Sequence, residues 1–238
     1  MVPEKQITEL IGRLADAAGA NLKSVILYGS AAAGDYVPEH SDLNLVCVLD
    51  ETSFATIEAL APVVEWWGKQ KHHSPLLMTE DELRRGADVF SIEFLDMQQN
   101  YRVMWGADLL KGLEIPMKLH RAQVEYELRE KTILLRQRLL VVAGDTDAKW
   151  DLLLRSVSTF ATLARHALRA MGESAVLSKR EAMETLKART NFDASAFQQV
   201  FDVRERKVDR KTMNVDQLFA RYLKAVGQLT AAVDGLPD

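Results

Sequence analysis

Two short stretches carry the residue types that chemistry needs. Val25-Ile26-Leu27-Tyr28-Gly29-Ser30-Ala31-Ala32-Ala33-Gly34 ends an apolar run in Gly-Ser, and Ser41-Asp42-Leu43-Asn44-Leu45-Val46 opens a second run with three oxygen-bearing side chains. A strand that ends in glycine can turn sharply, and the amides and hydroxyl at the start of the next short helix then face an incoming phosphate. Asp42 and Asn44 lie two residues apart at the mouth of a strand, so their side chains emerge on one face beside that turn. The combination is a phosphate cradle adjoining a pair of metal ligands. A nucleoside triphosphate with bound magnesium suits such a place, because magnesium keeps several waters and needs only one or two protein carboxylates beside the phosphate oxygens. Gly29-Ser30 alone would describe any strand-to-helix turn; it is the company of Gly34, Ser41 and Asp42 in register that makes the pattern specific.

With those residues in hand, residues 20 to 110 resemble the nucleotidyltransferases of the DNA polymerase beta superfamily, including small bacterial and antibiotic-modifying members such as kanamycin nucleotidyltransferase. Their signature is Gly-Ser, a spacer, then Asp-x-Asp in an apolar strand; here Gly29-Ser30 is followed by eleven residues and then Asp42-Leu43-Asn44. The resemblance implies transfer of a nucleoside monophosphate from a triphosphate, ATP first among them, to a hydroxyl acceptor with loss of pyrophosphate, assisted by magnesium. It assigns Gly29, Ser30 and Asn44 to the nucleotide and Asp42, Asn44 and a third carboxylate to metal. In relatives that carboxylate comes from a later strand; Glu93 in Ile92-Glu93-Phe94 is the first choice for it and Asp96 the second. Asp42 and Glu93 are then the catalytic pair.

Asn44 departs from the family pattern, standing where a second aspartate is expected. An amide oxygen still coordinates a cation but brings no charge, and at roughly 4 Å and an effective dielectric of about 20 one unit charge pair is worth around 4 kcal/mol. Two readings follow: a nucleotidyltransferase with weakened metal binding, or an impaired relative that binds nucleotide, or another protein, as a regulatory module.

These residues need elements to hold them. Ile7, Leu10, Ile11 and Leu14 recur at helical spacing within 4–18, and 24–28 and 43–49 read as buried strands. A helix is expected over 53–67, a strand over 73–78, a short helix opened by the capping box Thr79-Glu80-Asp81-Glu82, and a further strand over 89–97. From Pro116 strand signals vanish. Val124, Leu128, Leu135 and Leu139 mark a long amphipathic helix over 117–142, and further helices are expected over 148–171, 179–189, 194–208 and 215–233. The fold class expected is therefore an α+β nucleotidyltransferase domain, a mixed sheet flanked by helices, over residues 1–115, followed by an all-α helical bundle over 116–238.

Bulk properties narrow the partners. A formal net charge of −4 argues against a chain that lies along a long nucleic acid. No apolar stretch reaches the roughly 18 residues of a membrane span, and no targeting segment is read at the start. The one cysteine, Cys47, sits inside an apolar run and reads as a buried structural thiol, which fits a cytoplasmic compartment. His72-His73 is read as no metal site, because neighbours on an extended chain point to opposite faces. Trp66-Trp67 is expected to pack a helix on the sheet, and the cations Arg204, Arg206, Lys207, Arg210 and Lys211, interleaved with acids, to form a salt-bridged helix end. A homodimer or protein partner through the helical domain stays open.

Overall fold

The computed structural model describes residues 2–34 and 42–236; Ser41 of the second motif lies outside them. The chain divides into two compact units, Met1–Pro116 and Met117–Asp238.

The first unit is built on a four-stranded sheet in the order β3-β2-β1-β4, with β1 Leu22–Tyr28, β2 Asn44–Leu49, β3 Leu76–Thr79 and β4 Tyr101–Gly106. β1 runs antiparallel to both β2 and β4, and β2 runs parallel to β3, so the sheet is mixed. Its two central strands, β1 and β2, are largely apolar on both sides because both faces are covered there. Val25, Leu27, Leu45, Cys47 and Leu49 pack with Ile7, Leu10 and Leu14 of α1 (Glu4–Ala18) and with Leu60, Val63 and Trp67 of α3 (Phe54–Lys69). Ile26, Val46 and Val48 point the other way, onto Leu83 of α4 (Glu80–Arg85) and Phe94 and Met97 of α5 (Ser91–Gln99). Burial holds the Cys47 thiol neutral, its pKa pushed up to about 12.

The strand expected over 89–97 is corrected: this segment is helix α5, and the strand that flanks β1 is β4, ten residues further on. The alternation Phe90, Ile92, Phe94 is too short to separate a strand from a helix. The packing shows the helical period, with Ser91, Phe94 and Met97 buried at three-residue intervals and Glu93 turned outward. β4 closes against β1 through Gly106, whose φ of +78° is left-handed and where an added Cβ would lie 2.0 Å from the Lys23 carbonyl oxygen. The buried hydroxyl of Ser24 donates to the carbonyls of Trp105 and Ala107, at 3.2 and 2.7 Å.

The second unit is helical throughout: α6 His120–Val142, α7 Thr146–Ala170, α8 Lys179–Arg189, α9 Ser195–Arg204 and α10 Val215–Asp234. α7 is its centre, packing against α6, α8, α9 and α10. Tyr222 is fully buried among Phe160, Phe197 and Phe219, and its hydroxyl meets Ser156 Oγ at 3.1 Å. Ser178 and Glu181 close a capping box at the start of α8. The basic stretch around 204–211 is salt-bridged, Lys207 to Glu205 and Arg210 to Asp147. Among the described residues no helix is long and apolar enough to cross a membrane.

Candidate functional site

Both halves of the Gly-Ser and Asp-x-Asn pattern converge at one end of the central β1–β2 pair. Tyr28, the last residue of β1, pairs with Asn44, the first of β2. Gly29 then leaves the sheet with a left-handed φ of +76°, its amide donating to the Asn100 carbonyl at 3.0 Å. A Cβ on Gly29 would come within 3.2 Å of Asn44 Nδ2, so glycine both permits the turn and makes room for that amide. The short helix α2, Ser30–Ala33, starts at once, and its Ala32 and Ala33 amides donate back to the Gly29 carbonyl.

Asp42 precedes β2 and is 63% exposed, with Oδ1 3.2 Å from His73 Nε2. The parallel register explains this meeting. Val46 pairs with Leu76, an offset of 76 − 46 = 30, which carried back toward the strand starts sets His73 level with Leu43. The loop before β3 is fixed by Trp67, whose indole Nε1 donates to the His73 carbonyl at 2.9 Å while its ring stacks on His72 at 4.1 Å between centroids. His72 Nε2 in turn lies 2.8 Å from Gln6 Oε1 on α1. Burial holds the His72 pKa below its ordinary value, with the Asp42 charge opposing. His72 is half-buried against Trp67 and Gln6, and His73 is exposed at the Asp42 carboxylate.

Glu93 is exposed on α5. The Tyr28 hydroxyl has its pKa raised first by burial and then by the charge of Glu93, which places that carboxylate within electrostatic reach of the last residue of β1. Asp96 is half-buried on the same helix. Among the described residues no cluster of three or more His, Cys, Asp or Glu side chains is arranged to hold a metal by itself. The structure thus brings Gly29 and Asn44 into contact, sets Ser30 directly after that glycine, puts Asp42 two residues from Asn44, and adds His73. The sequence offered one signal for His73, its place as first residue of the strand expected over 73–78, which the structure starts only at Leu76; the pairing partner of that strand was not legible.

Residues 7–97 match the family model described as Nucleotidyltransferase domain. No curated protein sequence matches the chain. Among solved structures, the spectinomycin adenyltransferase AAD(9) from Enterococcus faecialis, with ATP and spectinomycin, superposes with a TM-score of 0.56 at 14% identity, over 97% of this chain and 98% of that one. A likeness at that identity is one of fold. A toxin-antitoxin structure with AMP-PNP aligns at a TM-score of 0.32 and 15% identity, over 60% of this chain and 97% of that one, which is too low to carry an argument.

Proposed function

We propose, from the premise that residues 7–97 are a nucleotidyltransferase domain, that the chain transfers a nucleoside monophosphate from a nucleoside triphosphate, with ATP the first candidate, to a hydroxyl group of an acceptor. The observation that carries this reading is the approach of Gly29 to Asn44, two residues after Asp42, at the end of the central β1–β2 pair. In the reaction the acceptor hydroxyl gives up its proton to water or a base as its oxygen bonds to the α-phosphorus, the bond from that phosphorus to the bridging oxygen breaks, and pyrophosphate leaves.

The backbone and hydroxyl of Ser30, opened to the ligand by the turn at Gly29, would hold phosphate oxygens. Asp42 and the amide oxygen of Asn44 are hard oxygen donors, which fits magnesium. One carboxylate and one amide also fit a cation shared with the triphosphate better than one held by protein alone. When bound, magnesium would offset the charge of the phosphates. His73 would orient the Asp42 carboxylate through their 3.2 Å contact. Glu93, whose charge reaches Tyr28, is the third carboxylate of the proposal, with Asp96 the second choice. A second reading, a nucleotide-binding regulatory module, is favoured by the uncharged Asn44.

The test is pyrophosphate release from ATP and magnesium with a panel of hydroxyl acceptors. The panel should include spectinomycin, since AAD(9) was solved with it. Release that depends on an acceptor and falls at least about 100-fold in Asp42→Ala supports the enzyme. Magnesium-dependent ATP binding without release under any acceptor leaves the regulatory module, and absence of both sinks the two readings together.

A further inference from the structure

Between the start of α6 and the end of α7 the helical unit holds an open cavity of about 600 Å³, lined by Lys118, His120, Arg121, Arg169, Glu173 and Ser174. α7 stops because Gly172 takes a left-handed φ of +87°, which lets the amides of Gly172 and Glu173 turn back onto the carbonyls of Arg169 and Leu168, at 3.0 and 2.9 Å. Those carbonyls are thereby satisfied within the chain. An added Cβ on Gly172 would meet nothing within 4 Å, so the chain there borders open space. On the other side α6 begins at His120 with no capping side chain and no acidic residue in its first turn, which leaves the positive end of the helix unopposed. His120 is buried, and its ring meets that of His166 on α7 edge-on, 5.2 Å between centroids, which ties the two helices together at this point.

The charges along this cavity do not cancel. Glu173 is held by Arg189 at 2.5 Å, and Arg121 by Glu125 at 3.0 Å. Lys118 and Arg169 are exposed and meet no carboxylate at ion-pair distance among the described residues, and Arg169 Nη1 donates to the Ser174 carbonyl only at a long 3.4 Å. We propose that the cavity binds a phosphate monoester of a small hydroxylated molecule, of the sugar-phosphate class. Lys118 and Arg169 match the charge of about −2 that such a phosphate carries near neutral pH, and a guanidinium takes phosphate oxygens in pairs. The volume lies in the range of small-molecule sites, roughly 300–1,000 Å³, and exceeds what a bare phosphate fills, so an organic body accompanies the charge. The Ser174 hydroxyl and the Glu173 carboxylate, which Arg189 holds in place, offer hydrogen bonds to hydroxyls of that body, while Met117 and Ala170 supply little apolar lining. Every lining residue belongs to the second unit, so the proposal stands apart from the transfer reaction.

Calorimetric titration of the full chain with glucose 6-phosphate, inorganic phosphate, succinate and glucose tests this, in a phosphate-free buffer with EDTA so that no divalent metal occupies the nucleotide residues. Glucose 6-phosphate is expected to bind with a dissociation constant of about 100 μM, and the other three probes at least about 10-fold more weakly. Arg169→Gln and Lys118→Gln are each expected to weaken glucose 6-phosphate by at least about 10-fold, with an unchanged thermal midpoint because both positions are exposed. Absence of glucose 6-phosphate binding up to about 10 mM, or binding that survives both substitutions, would overturn the proposal. So would inorganic phosphate or succinate binding as tightly as the sugar phosphate, or loss of sugar-phosphate binding in Asp42→Ala, which would assign it to the nucleotide residues.

Discussion

In the first unit β1 is held by partners far along the chain, Asn44–Leu49 on one side and Tyr101–Gly106 on the other. In the second unit most order is local, from capping boxes, amphipathic periods and helices that follow one another around α7. The difference separates chemistry from stability. The candidate site is assembled from stretches that are distant in sequence, and its side chains are exposed or half-buried, where exchanging one of them disturbs little packing. The helical unit concentrates large buried rings, where an exchange removes packing and touches no site residue.

The comparison breaks most visibly if Tyr222→Ala behaves like a site variant. It deletes a fully buried ring between Phe160, Phe197 and Phe219 and strips Ser156 of its hydroxyl partner. Urea denaturation should show a loss of about 4 kcal/mol, while the folded protein keeps its ATP affinity within about twofold. A tenfold loss of affinity at full folding would mean that the two units do not divide the work in this way.

Gly29→Ala sharpens the opposite side. It forces a side chain into a left-handed backbone and toward Asn44 Nδ2 at 3.2 Å. The expected cost is about 1–2 kcal/mol in stability, together with at least a ~10-fold loss of nucleotide affinity by calorimetry. A loss of stability with intact affinity would remove Gly29 from the site.

A smaller effect follows from His72. Its pKa in the folded protein lies below the ordinary 6.5 because it is packed against Trp67, so the unfolded chain takes up the proton first as pH falls. The stability that depends on neutral His72 is therefore complete above pH 6.5 and is lost as pH drops through 6.5 toward the folded value. Denaturation at about pH 7.5 and about pH 5.5 should show a smaller acid-induced loss in His72→Gln than in the wild type. Equal losses would contradict the assignment.

The same contrast governs what the sequence discloses. The helices of the second unit were legible because their signals are local, such as Ser178 with Glu181 and the period of Val124, Leu128 and Leu135. The β1 turn was legible because glycine and serine follow an apolar run. The segment 89–106 misled, since Phe90, Ile92 and Phe94 alternate as in a strand while tertiary packing chose a helix, and the true edge strand, Tyr101–Gly106, bears no acidic side chain to draw notice. His73 could not be assigned, because its approach to Asp42 depends on the parallel pairing of β2 with β3, which no local pattern encodes.

Asp42 and Asn44 are proposed to form a nucleotide site weakened by the missing charge at position 44. Calorimetric titration with a non-hydrolysable ATP analogue, with and without magnesium, on wild type and Asn44→Asp tests it directly. Binding is expected to require magnesium and to tighten by about tenfold or more, ~1.4 kcal/mol, in the variant. Binding indifferent to magnesium, or no tightening when the charge is restored, would contradict it.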